Sequence, residues 1–210
     1  MCVNCRRNPP PWVNLVLNNK TRPKFFEGEK VLVQQIWATK DSYLVFYLFN
    51  QLFDNFDTVI KFFVYYMADT LQKNVNRKNF IVEHLQVVIQ DLDVWVETIM
   101  DEETLETKIR HTAAAHKVVP RFTLREFREV FEALDRAMCM ALDPNDYKCK
   151  SRAAFRKFLC LAYFFIDLEF KQFRKISVHE SDPGNAIGSS EGTSGAGSSK
   201  FPRSLSSFFG

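Results

Sequence analysis

The sequence predicts an all-α protein, and three features of its 210 residues support this prediction. Only one of the seven glycines, Gly28, precedes position 184. No proline occurs between Pro23 and Pro120. Apolar residues recur every three or four positions through several long stretches, which is the spacing of one helix face. Few turn formers combined with this period indicate packed helices rather than strands.

The apolar spacing predicts five long helices and one shorter helical stretch. The shorter stretch passes through Leu105, Ile109 and Thr112 to His116 in steps of three or four residues. The long helices are expected at 28–40, at 41–56, at 78–100, directly after Pro120, and at 151–174.

Composition divides the chain into three segments. Residues 1–23 contain three consecutive prolines and are expected to form an extended arm. Residues 24–176 hold the helical patterns and form the predicted domain. Residues 177–210 are rich in Gly and Ser, a composition that buries too little apolar surface to offset its ordering entropy, so a disordered tail is expected.

Charge and hydropathy exclude several classes of protein. The net charge is only +3, from 28 basic and 25 acidic residues, which argues against a nucleic-acid partner. No apolar run is long enough for a membrane span, and the start lacks a signal-peptide core. Five cysteines, an odd number, fit reduced thiols better than a disulfide framework. These features predict a cytoplasmic protein.

Two of the four histidines are the candidates for chemistry. His84 shares an apolar stripe with Leu85 and Val88, and His116 ends the inward stripe of its own helix. Two inward histidines on separate helices could bind one metal ion from opposite sides. The alternative is that one or both are ordinary core histidines. His111 is expected at the surface, and His179 falls in the tail.

Several segments, taken in order over roughly residues 27–174, resemble the globin family. Segment 29–37 resembles the first globin helix with its inward Trp37, and 52–63 resembles the stretch that ends at the haem-stacking Phe. Segments 84–88 and 105–116 resemble the distal and proximal helices. Segments 127–134 and 154–155 resemble the last two helices.

The intervals between these motifs also resemble those of globins. Phe63 precedes His84 by 21 positions, His84 precedes His116 by 32, and His116 precedes Phe127 by 11. The interval of 32 resembles neuroglobin and invertebrate globins more than myoglobin. Choosing His111 instead would place Phe127 too far downstream, so the resemblance favours His116 as the proximal residue.

The resemblance implies a b-type haem, held without covalent attachment because the chain lacks a Cys-x-x-Cys-His motif. His116 would be the proximal iron ligand, and His84 would be the distal ligand or would hydrogen-bond to oxygen. Phe63 would stack on the porphyrin, while Phe49 and Val88 would restrict the distal pocket. The implied cofactor-binding residues are His116, His84, Phe63, Val88, Phe49 and Phe127.

The implied function is binding of oxygen, NO or CO for sensing, or redox work with a partner protein. We expect a bis-histidyl iron, because an internal imidazole is always present at high effective concentration. Two alternatives remain, namely a pentacoordinate oxygen carrier and a haem-free interaction module. The implied redox work includes nitrite reduction or NO turnover, for which the chain carries no dedicated catalytic motif.

The sequence departs from the globin pattern at two informative positions. Asp57 stands where a Pro usually opens the third helix, and we expect it to act as an N-cap. Thr112 replaces a usual inward Leu near the proximal histidine and makes that side more polar.

The N-terminal arm carries a separate motif, Cys2-x-x-Cys5, followed by two arginines. No second ligand pair accompanies it, which makes a zinc site a weak interpretation. Acylation of both cysteines would give a two-signal membrane anchor, and an unmodified arm is the alternative. Cys139, Cys149 and Cys160 are expected to pack as small apolar residues.

Overall fold

The computed structural model describes residues 22–70, 77–142 and 149–179. The described residues form helices and contain no strand, which confirms the all-α prediction. In chain order the helices are α1 (Glu27–Ala38), α2 (Leu44–Asn55), α3 (Asp57–Thr70), α4 (Arg77–Glu97), α5 (Glu102–Lys117), α6 (Leu124–Ala141) and α7 (Cys149–His179).

The expected terminal segments fall mostly outside the described residues. Nearly all of the arm, with Cys2 and Cys5, and the tail from 180 onwards lie there, so their predicted roles stay predictions. Helix α7 continues to His179, five residues beyond the expected end at 174.

Helices α5 and α6 begin where side chains satisfy backbone N–H groups that have no partner within the helix. The carboxylate of Asp101 accepts hydrogen bonds of 3.2 Å from the N–H groups of Glu103 and Thr104 at the start of α5. At the start of α6, Thr123 and Glu126 form a reciprocal capping box, with the Thr123 N–H donating to Glu126 at 2.8 Å.

Helix α3 begins differently from the expectation. Asp57 is the first helical residue rather than the N-cap, and its carboxylate is 3.4 Å from Lys61 Nζ. The N–H of Val59 instead donates to the buried carboxylate of Glu129 on α6 at 3.1 Å. A residue distant in sequence therefore caps the helix that carries Phe63.

The core lies where α2 packs on α6 and where α7 packs on both α1 and α5. Trp37 is buried as expected, its ring centroid 6.0 Å from that of Phe155, and its indole N–H donates to Asp93 on α4 at 2.6 Å. Cys160 is buried among these apolar residues, and burial raises the pKa of its thiol to about 12. Cys160 therefore packs as a small apolar residue.

A buried ion-pair cluster joins α6 to α7. Asp135 accepts hydrogen bonds from Arg156 at 2.7 Å and from Arg152 at 2.9 Å. Burial acts to raise the pKa of Asp135, but the bonds from the two guanidinium groups outweigh it and hold the pKa below its ordinary value.

Over the residues described, the structure contains no helix with the length and apolar character that a membrane span requires.

Candidate functional site

The two inward histidines come together between α4 and α5. The ring centroids of His84 and His116 are 6.0 Å apart, and the ring planes meet at 68°. Both side chains are half-buried. Helices α4 and α5 therefore each contribute one imidazole to the same place in the fold.

The ring of His116 is oriented by its own helix. Its Nδ1 lies 2.8 Å from the backbone carbonyl oxygen of Thr112, one turn earlier. A carbonyl can only accept, so Nδ1 carries the proton and donates. Nε2 consequently keeps its lone pair, which is the arrangement of histidines that bind metal ions through Nε2.

Both imidazoles are neutral at pH 7. Burial, and then the charge of His116, lower the pKa of His84 to about 4. Burial also lowers the pKa of His116, against the opposing effects of the Thr112 carbonyl and Asp91. The neutral ring is the form that can donate an electron pair to a metal ion.

Aromatic rings surround the histidine pair. The centroid of Phe63 lies 5.1 Å from that of His84, and the centroid of Phe127 lies 5.0 Å from that of His116. Phe62 is in edge contact with Phe63 at 6.0 Å. The pair therefore sits in apolar surroundings that would suit a flat apolar ligand.

Four of the six residues expected to bind the cofactor thus form one connected group, namely His84, His116, Phe63 and Phe127. Val88 is half-buried one helical turn after His84 on α4. Phe49 is half-buried on α2, where its ring contacts Phe53 with centroids 4.4 Å apart. The expectation that Phe49 restricts the distal pocket stays a prediction.

Sequence reasoning missed one member of this group. Phe122 lies 4.9 Å from His116, 5.1 Å from Phe127 and 5.0 Å from Phe62, measured between ring centroids. It occupies the turn between α5 and α6, directly after Arg121, whose φ of 65° is left-handed. Helical periodicity says nothing about a turn residue, so the only available signal was an apolar side chain after Pro120.

The protein ligands alone would not complete a metal site. Within the described parts of the chain, no group of three or more His, Cys, Asp or Glu side chains could hold a metal ion. Two imidazoles leave the other ligand positions of an ion between them open to water or to a cofactor. The donor set suits a tetrapyrrole, because two neutral imidazoles among aromatic rings would hold the metal ion of such a cofactor.

Comparisons with known proteins concern the fold and the family of the chain. Among solved structures the chain is similar to a hexacoordinated haem protein from an anhydrobiotic tardigrade, crystallised at pH 4. The TM-score is 0.57, the match covers 71% of this chain and 97% of that chain, and the identity is 17%, so the likeness concerns the fold. No curated protein sequence matches the chain. The Globin family model matches residues 47–165, which is more than half of the chain, and the chain therefore belongs to the globin family.

Proposed function

We propose that this globin binds haem b between α4 and α5, with His116 and His84 as the two axial ligands of the iron. The separation of the two rings carries the proposal. A metal–imidazole bond is roughly 2 Å long, so two imidazoles on opposite sides of one ion have centroids about 6 Å apart. The observed 6.0 Å agrees with this value. Two imidazoles that bind one ion from opposite sides need not lie in one plane, so the angle of 68° is compatible.

The state of each ring supports the same assignment. His116 donates through Nδ1 to Thr112, which leaves Nε2 for the iron. Burial lowers the pKa of both rings and so favours the neutral form that can bind a metal ion. Phe63, Phe122 and Phe127 contact the pair and would offer apolar surface to a porphyrin. The similar tardigrade protein is itself described as a hexacoordinated haem protein.

Haem, when bound, would supply the iron chemistry for taking up a diatomic gas or exchanging electrons. His84 would control access to that iron, because it would occupy the position that a gas needs. The measured gas affinity would then equal the affinity of the open form multiplied by the fraction of protein in which His84 has moved away. This behaviour suits gas sensing or redox work with a partner protein better than bulk oxygen storage. We place the protein in that class.

Absorption spectra of the purified protein, oxidised and reduced without oxygen, test the proposal. Wild type should show the sharp split bands of a low-spin bis-histidyl haem. His84→Leu should give a single broad high-spin band, while His111→Leu, on an exposed residue, should resemble wild type. Absence of any haem absorption would favour the haem-free interaction module instead.

The rate of CO binding separates the bis-histidyl form from the pentacoordinate carrier. In wild type the rate should reach a plateau at high CO, because dissociation of His84 becomes limiting. In His84→Leu the rate should rise in proportion to CO. A linear rise in both proteins would show that His84 does not bind iron.

A further inference from the structure

A hydrogen-bond chain runs from the distal helix to the proximal histidine. The Thr112 hydroxyl on α5 donates to Oδ2 of Asp91 on α4 at 3.0 Å. The backbone carbonyl of the same Thr112 accepts from His116 Nδ1 at 2.8 Å. One residue of α5 therefore holds the proximal ring with its carbonyl and contacts the opposite helix with its hydroxyl.

Asp91 lies two helical turns after His84 on α4. Residues seven positions apart lie on the same face of a helix, so Asp91 and His84 both face α5. The Asp91–Thr112 bond thus ties together the two helices that carry the histidines, within one turn of His116. This bond therefore limits how far apart the rings of His84 and His116 can lie.

Helix α5 is held from its other side by α7. Glu169 on α7 accepts a hydrogen bond of 3.1 Å from Arg110 and also pairs with Lys117. These contacts orient α5 relative to α7. They do not determine the distance between α5 and α4. The bond between Asp91 and Thr112 supplies a directional contact to α4.

We propose that Asp91 and the Thr112 hydroxyl are positioning residues, which hold His116 at the distance from His84 that two-sided binding of iron requires. This inference rests on the proposed function. Partners that orient a metal-binding histidine commonly contribute about 10- to 100-fold to metal affinity. Here the positioning contact crosses between helices, so its loss should loosen the histidine pair.

The test compares rates of haem loss to an excess of a haem-free acceptor protein. Thr112→Val removes the hydroxyl but keeps the shape and the carbonyl, and it should lose haem about tenfold faster than wild type. Asp91→Ala should have a similar effect. The double variant should be no faster than either single variant, because both remove the same bond.

Two further variants separate positioning from general destabilisation. Thr112→Ser keeps a hydroxyl and should restore the wild-type rate. Thr107→Val also lies on α5, but the Thr107 hydroxyl donates within its own helix, to the carbonyl of Glu103, so this variant should resemble wild type. The low-spin fraction of the absorption spectrum should fall in Thr112→Val and recover in Thr112→Ser.

The outcomes distinguish failure of the positioning role from failure of the haem site itself. If wild type binds haem and Thr112→Val loses it at the wild-type rate, the positioning role is wrong and the haem site stands. Independent effects of Asp91→Ala and Thr112→Val that multiply in the double variant would also overturn it. If wild type binds no haem, the proposed function fails and the inference fails with it. If Asp91→Ala lacks helical circular dichroism, Thr112→Val and Thr112→Ser decide alone.

Discussion

The buried carboxylate of Glu129 on α6 accepts a hydrogen bond of 3.1 Å from the N–H of Val59, 70 residues earlier in the first turn of α3. Val59 precedes Phe63 by one helical turn, and Phe63 contacts His84. The second carboxylate oxygen of Glu129 accepts from Arg125 at 2.9 Å. Glu129 therefore orients the helix that brings Phe63 to the site.

Glu129→Ala should destabilise the protein by about 1–3 kcal/mol, because it leaves a buried N–H without its partner. The measurement is urea unfolding followed by helical circular dichroism. Glu132→Ala, on the same helix, is the control, since Glu132 pairs with Arg128, whose side chain is 42% exposed, and its loss should cost about 0.5 kcal/mol or less. Equal losses in the two variants would contradict the capping role.

The assignment of the proximal ligand is tested by two histidines on the same helix. His116→Ala should abolish or strongly weaken haem retention, because it removes the ring that Thr112 orients. His111→Ala should retain haem, because His111 is exposed. Haem content per protein after gel filtration gives the answer. Loss of haem in His111→Ala with retention in His116→Ala would reverse the assignment.

Acid should weaken the contact between α6 and α7 through Asp135. The pKa of Asp135 is lower in the folded protein than its ordinary value of 3.8. The ionised carboxylate therefore stabilises the folded state fully at pH values above 3.8. This stability is lost as the pH falls below about 4 and through the folded-state pKa. Wild type should therefore lose stability steeply in this range.

Asp135→Asn should be about 3 kcal/mol less stable than wild type at pH 7, because it leaves two buried or half-buried guanidinium groups with a neutral partner. The gap should narrow below about pH 4, where wild type also loses the charge. Asp57→Asn, at an exposed carboxylate, serves as the control and should follow wild type. A gap independent of pH would show that the charge of Asp135 contributes nothing.

The Gly/Ser-rich tail should be dispensable for haem binding. Deleting residues 180–210 should leave haem content and thermal stability unchanged, because this composition offers little apolar surface to bury. Truncation after Leu168 is the matched control. It removes the buried Phe170 and also Glu169, the partner of Arg110 and Lys117, so it should destabilise the protein. A tail as resistant to limited proteolysis as the helices would contradict this prediction.

The sequence by itself determined six of the seven described helices and the two inward histidines, while α3, which carries Phe63, was not among the helices that apolar spacing predicted. Apolar side chains that become buried recur with the period of the helix. The sequence alone therefore shows the apolar stripes that contain His84 and His116. The order and the intervals of Phe63, His84, His116 and Phe127 identified the family, and these four residues lie together. Spacing along the chain was sufficient for His84, His116 and Phe127 because each is a repeat position of its own helix, whereas Phe63 was identified only through the resemblance.

The tertiary structure alone decided the contacts that hold this site in place. Glu129 and Asp91 are polar residues on helices, and on sequence grounds each could equally face solvent. Thr112 was expected to face inward, but the sequence did not identify Asp91 as its partner. Their partners lie on other helices, at separations of 70 residues for Glu129 and 21 for the Asp91–Thr112 pair. Phe122 occupies a turn, where no periodicity exists to reveal its direction. Such contacts depend on how helices pack against each other, and local spacing carries no information about that packing.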